Sequence, residues 1–170
     1  DANPFEVMLA MVGDRTLEYE NKRYHEQRAF AFSNWVTTDP FEYPEEIAKH
    51  FSKCTSVDVE KIMCTDNVLS GQFASYHVYP YYPDYLNAFT DEQWNELGIG
   101  DKSLYATNDG KTNTYLAYLQ LLNNHHKMPV LISEFGVSTG RGIAQIDPNT
   151  DRNQGHMSEQ EQGKALVSCY

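Results

Sequence analysis

Glu134 ends the run Val130-Leu-Ile-Ser-Glu134 and is followed by Phe135 and Gly136. A carboxylate at the last residue of an otherwise apolar, buried strand is costly unless it is paired or used. In use it would be a nucleophile. The alternative is a rim carboxylate that only accepts hydrogen bonds. Upstream, Tyr76-His77-Val78-Tyr79 ends another apolar run, and the two-residue alternation of a strand sends His77 and Tyr79 to one face. From a neighbouring parallel strand both could meet Glu134. A hydroxyl or imidazole donating to the carboxylate would keep it ionised and aimed. One run earlier, Ser33-Asn34-Trp35 leads into Thr37-Thr38-Asp39. There Trp35 offers a flat face to a sugar ring and Asn34 an amide to its hydroxyls, although a hydrophobic lid and turn chemistry explain the same residues.

Other candidates carry less. Gly140-Arg141-Gly142 could bring Arg141 over a cleft, to hold a carboxylate or orient Glu134; a solvated loop arginine is the alternative. Tyr81, Tyr82 and Tyr85 make the segment after the second run aromatic-rich, and Tyr82 joins the substrate-binding candidates. Asp147-Pro-Asn149-Thr-Asp151 starts like a calcium loop, yet Arg152 stands where glycine is needed and Ser158 where glutamate is needed. His125 and His126 are adjacent and cannot face one way. The three cysteines, Cys54, Cys64 and Cys169, are an odd number at wide spacing, which indicates neither a zinc knuckle nor a disulfide framework, with a Cys54–Cys64 bridge left as a lesser reading. The expectation is no metal and no cofactor.

The elements that must position these residues are legible in outline. Asn3-Pro4-Phe5-Glu6 combines a cap, a proline at the first helical position and a glutamate three residues after the cap. It predicts a helix to about Tyr24, with Phe5, Met8, Leu9, Val12 and Leu17 on its packed stripe. Arg28 to Val36 reads as a buried strand, Pro44 to about Phe51 as a short helix, and Cys54 to Leu69 carries no assignment. Gln72 to Tyr79 is a second strand, stopped by Pro80, after which Tyr81 to Tyr85 is expected to be loop. Asn87 to Lys111 reads as a polar insertion containing one short surface helix. Thr114 to His125 is an amphipathic helix with Leu116, Leu119 and Leu122 inward, Met128 to Gly136 is the third strand, and Ser158-Glu-Gln-Glu161 caps a last helix, Gln160 to Tyr170. Helix and strand alternate as in an α/β parallel sheet with crossover helices. Ligands of such sheets bind at the carboxyl ends of the strands, where all three runs keep their polar residues.

Composition narrows the classes. In 170 residues, 13 Lys+Arg face 24 Asp+Glu, a net charge of −11, which excludes a nucleic-acid binder acting through bulk charge. The 41% of hydrophobic residues suffices for one core. No apolar run approaches the roughly 18 residues of a membrane span, and Asp1 to Val12 lacks the pattern of a signal peptide.

Together these runs resemble the retaining glycoside hydrolases of clan A, the TIM-barrel glycosidases. Ile132-Ser-Glu134-Phe-Gly136 is similar to their nucleophile strand seven and His77-Val78-Tyr79 to the end of strand six. The resemblance implies that Glu134 is the nucleophile, that Arg28 to Val36 is strand five and that the first helix is helix four. It implies a partial (β/α)8 barrel of about three parallel strands, residues 1–170 being one fragment of a catalytic domain with an insertion near 87–111. The clan's acid/base glutamate ends strand four, commonly after an asparagine. Here the only Asn-Glu pair is Asn95-Glu96, in the short helix of the insertion, and strand eight has no counterpart. The expectation is therefore a piece of a glycosidase, inactive alone, whose parent cleaves O-glycosyl bonds with retention. Such chemistry needs two carboxyl groups about 5–5.5 Å apart. The rival expectations are a non-catalytic carbohydrate-binding barrel module and a free-standing α/β domain in which Glu134 is structural. The implied partner is a carbohydrate, met by Asn34, Trp35, His77, Tyr79, Tyr82 and Arg141. Raw sheet edges suggest a dimer, and a polysaccharide substrate suggests an exported or cell-surface parent.

Overall fold

The Asn3 side chain accepts from the Glu6 amide at 2.9 Å and the Glu6 carboxylate from the Asn3 amide at 2.7 Å, so helix α1 (Pro4–Tyr24) starts where the capping box predicts. The computed structural model describes residues 1–50, 52–65, 67–145 and 154–169, with backbone alone at 144 and 145. The buried residues of α1 are Glu6, Gly13 and Leu17, while Phe5, Met8 and Val12 stand half-exposed, which corrects the expected packed stripe. The reason is steric: a Cβ on Gly13 would lie 3.1 Å from the Phe32 ring, so the helix seats where glycine permits close approach.

The chain is mixed α/β, with a three-stranded parallel sheet in the order β1 (Ser33–Trp35), β2 (Ala74–His77), β3 (Val130–Glu134). The strands are shorter than the apolar runs that contain them, although a parallel bridge between Phe30 and Gln72 extends the pairing. Among these strands β3 is an edge, with Leu131 49% exposed, and the fully buried strand expected there is corrected accordingly. The remaining elements are α2 (Glu45–His50), α3 (Asp91–Glu96), α4 (Thr114–His125), a β4 (Ile143–Gln145) and β5 (Gln154–Gly155) hairpin, and α5 (Glu159–Val167). No helix among the described residues is long and apolar enough to cross a membrane.

The residues fall into two compact units. The first, Asp1–Tyr76 with His126–Ser133, buries Val36, Val57, Val59, Ile62 and Tyr76, and contains Cys54 and Cys64 as exposed thiols. The second, His77–His125 with Glu134–Tyr170, is built around Leu86, Trp94, Tyr118 and Leu122. Its segment 87–111 is more than a polar insertion. The capping box of Thr90 starts α3, which places Trp94 fully inside, its indole N–H donating to the Leu86 carbonyl at 2.8 Å. Pro83 begins a 3-10 helix, Pro83–Ala88, where a loop was expected, because its fixed φ suits a first helical turn. In α4 the inward set is Tyr115, Tyr118, Leu121 and Leu122, and Leu116 faces out. The Ser158 capping box starts α5 as predicted. The hairpin was not anticipated. Gly155 requires its glycine there, with φ +88° and a Cβ that would meet the Gly142 carbonyl oxygen at 2.1 Å. The calcium-like segment 147–151 lies outside the described residues.

Candidate active site at the end of the third strand

Glu134 and the residues around it lie in the second unit. The Val78 amide donates to the Glu134 carbonyl at 2.9 Å, which fixes the two chain segments side by side. Strand alternation then carries His77 and Tyr79 to the same carboxylate. His77 Nδ1 lies 2.9 Å from Glu134 Oε2, and the Tyr79 hydroxyl donates to Oε1. Each carboxylate oxygen thus has its own side-chain partner. The premise that Glu134 would be desolvated does not hold, since its side chain is 47% exposed and that of His77 38%. What orders the carboxylate is hydrogen bonding from β2 and its extension, and its exposure leaves it open to an incoming ligand.

Tyr79 is itself held. Its ring stacks on Tyr81 with centroids 5.5 Å apart, and Tyr82 meets it edge-on at 6.0 Å. Tyr81 is buried, while Tyr82 is half-buried and still presents surface. Burial pushes both phenols above the ordinary tyrosine range, so they stay protonated hydrogen-bond donors. Arg141 is exposed, and its carbonyl accepts from His156 Nδ1 at 3.3 Å. Among the described residues, the partners of the Glu134 carboxylate are His77 and Tyr79, with Arg141 not among them.

In the first unit Asn34 is 4% exposed and its amide is spent inside the protein. Nδ2 donates to the Val57 carbonyl at 2.9 Å, and Oδ1 accepts from the Trp35 amide at 2.8 Å and the Thr38 hydroxyl at 2.7 Å. Asn34 therefore positions Trp35. Trp35 itself is 39% exposed.

The same unit contains a line of polar groups that the residue pattern did not single out. The Tyr76 hydroxyl donates to His126 Nε2 at 2.8 Å, and His126 Nδ1–H donates to Glu60 Oε1 at 3.1 Å. Desolvation, with the nearby Asp39, Asp58 and Glu60 charges, drives the Tyr76 phenol far above its usual range. Desolvation pushes the Glu60 carboxyl up, but the Lys127 amide, His126 and the Met128 amide outweigh it and hold Glu60 below the usual range. His126 was visible in sequence only as half of an adjacent pair. Its partner lies 66 residues away, a pairing that no local spacing reveals. A second buried pair, Asp39 with Lys53 at 2.9 Å, fixes the loop after β1, with Tyr43 donating to the same carboxylate.

No family model matches the chain, and neither a curated protein nor a solved structure matches it.

Proposed function

We propose that Glu134 is the nucleophile of a retaining glycosidase of the clan A type, and that the three parallel strands are part of a (β/α)8 barrel. The observation that carries this reading is the arrangement of His77 and Tyr79 on the two oxygens of an exposed carboxylate at the carboxyl end of β3. Held this way, the carboxylate has lone pairs left for an anomeric carbon and little freedom to lose on attack. The C–O bond to the leaving group breaks as the glycosyl–Glu134 ester forms, and water later cleaves that ester. Protonation of an ordinary leaving oxygen falls to a second carboxyl group about 5–5.5 Å away, which this reading assigns to no residue of this chain. His77 and Tyr79 orient the nucleophile, Tyr82 lines the aromatic side, and Arg141 lies in the following loop.

Activated 2-deoxy-2-fluoro glycosides test it directly, because a dinitrophenolate leaves without protonation and the fluorinated ester persists. Incubation with gluco, galacto, manno and xylo forms, read by intact mass and peptide mapping, is expected to place one sugar on Glu134. E134Q should take none. Y79F removes one hydrogen bond to a carboxylate, worth about 1.5 kcal/mol at a half-exposed site, and should label about tenfold more slowly. Absence of an adduct across the panel, or an adduct that survives E134Q, overturns the reading. In that event a carbohydrate-binding module without chemistry, favoured by the braced and exposed Trp35, takes its place.

A further inference from the structure

The first unit has an open cavity of about 310 Å³ between α1 and the loop that follows the 3-10 turn Val59–Lys61, and three sulfur-bearing residues, Met11, Met63 and Cys64, line it together. The thiol has a fixed place on the wall. Cys64 Sγ donates to Gln72 Oε1 at 3.1 Å, and Gln72 is bridged in the parallel sense to Phe30, which lines the same cavity. Met11 and Met63 are 66% and 83% exposed, so the core does not hold them, and the flexible unbranched side chain lets each thioether swing toward the thiol. Asp14, one helical turn after Met11, adds a carboxylate to the lining.

We propose that Met11, Met63 and Cys64 form a binding site for copper(I). Thiolate and thioether sulfurs are the soft donors that select this ion, whereas hard cations prefer oxygen. One thiolate and two thioethers carry a single negative charge, which neutralises a monovalent ion and leaves a divalent one uncompensated. Uptake forms the metal–sulfur bonds as the thiol gives its proton to water, so one proton leaves for each ion bound. Partial desolvation pushes the Cys64 thiol up from its ordinary range, which keeps it protonated until an ion displaces that proton. The net charge of −11 draws cations toward the chain. The site does not rest on the glycosidase reading, since Glu134 and its partners belong to the second unit.

Copper(I) supplied as its bicinchoninate complex, under reducing and oxygen-free conditions, tests the site on the full chain carrying C54S and C169S, which leaves Cys64 as the only thiol. One ion per chain is expected to leave the chelator. C64S in that background should take none, and M11L/M63L, which conserves side-chain volume, should bind at least about tenfold more weakly. X-ray absorption at the copper edge should show sulfur neighbours, fewer of them in M11L/M63L. Zinc(II) offered in place of copper should be held far more weakly. The site is overturned if C64S takes copper like its parent, if M11L/M63L binds as tightly as its parent, which would leave a thiol acting alone, or if zinc is held as firmly as copper. Circular dichroism checks that each variant is folded, and M63L, at the more exposed methionine, serves alone if the double variant is not.

Discussion

Replacing Tyr76 by Phe tests the buried polar line of the first unit. The ring keeps its packing, so the change is confined to one hydroxyl. Tyr76 is fully buried, as is the His126 side chain that receives its proton at 2.8 Å. With the hydroxyl gone, the buried His126 Nε2 loses this hydrogen bond. Loss of a hydrogen bond between two buried groups costs about 1–3 kcal/mol, which places the expectation near 2 kcal/mol. For a chain of this length each kcal/mol lowers Tm by about 2–4 °C, so Y76F should melt about 4–8 °C lower. Urea unfolding followed by circular dichroism should show a lower midpoint at unchanged slope. The exposed Tyr19 gives the control, with Y19F within about 0.5 kcal/mol of wild type. Because Glu60 orients the same imidazole, Y76F and E60Q should be non-additive by about 0.5 kcal/mol or more. A Y76F protein as stable as Y19F, or strict additivity with E60Q, would refute the connected line.

D39N breaks a pair whose members are 0% and 6% exposed and leaves Lys53 buried without its counter-charge; a loss of about 3–5 kcal/mol in chemical unfolding is expected. Glu60 sets part of the acid limb. Its carboxyl titrates lower folded than its ordinary 4.5, so its stabilisation is complete above the unfolded value and fades as pH falls through the folded one. Melting temperatures from about pH 6 down to about pH 3 should therefore drop more steeply for wild type than for E60Q, and parallel curves would remove Glu60 from the account.

The chain's local signals survive translation into structure wherever a few neighbouring residues decide the outcome. The capping boxes at Asn3 and Ser158 start their helices on schedule, because the bonds involved span three residues. The alternation of His77 and Tyr79 is likewise a property of extended backbone, and it delivers both to Glu134 once a parallel neighbour exists. Other features depend on partners far away in sequence. Sequence alone could not say that Asn34 would be consumed by Val57, Trp35 and Thr38 and thereby turned from a ligand into a brace. Nor could it show that Leu131 would stand half-exposed on β3, because exposure is decided by everything that packs alongside. The Tyr76–His126–Glu60 line is the clearest case. Its members come from a strand, the residue after α4 and a 3-10 turn at Val59–Lys61, and the burial of Tyr76 and His126 is what makes their hydrogen bonds obligatory. The sequence by itself determined where helices start and which side chains share a strand face, since those are short-range backbone properties. The tertiary structure decided which polar groups are buried and which remain open to a ligand, since desolvation depends on everything packed around them.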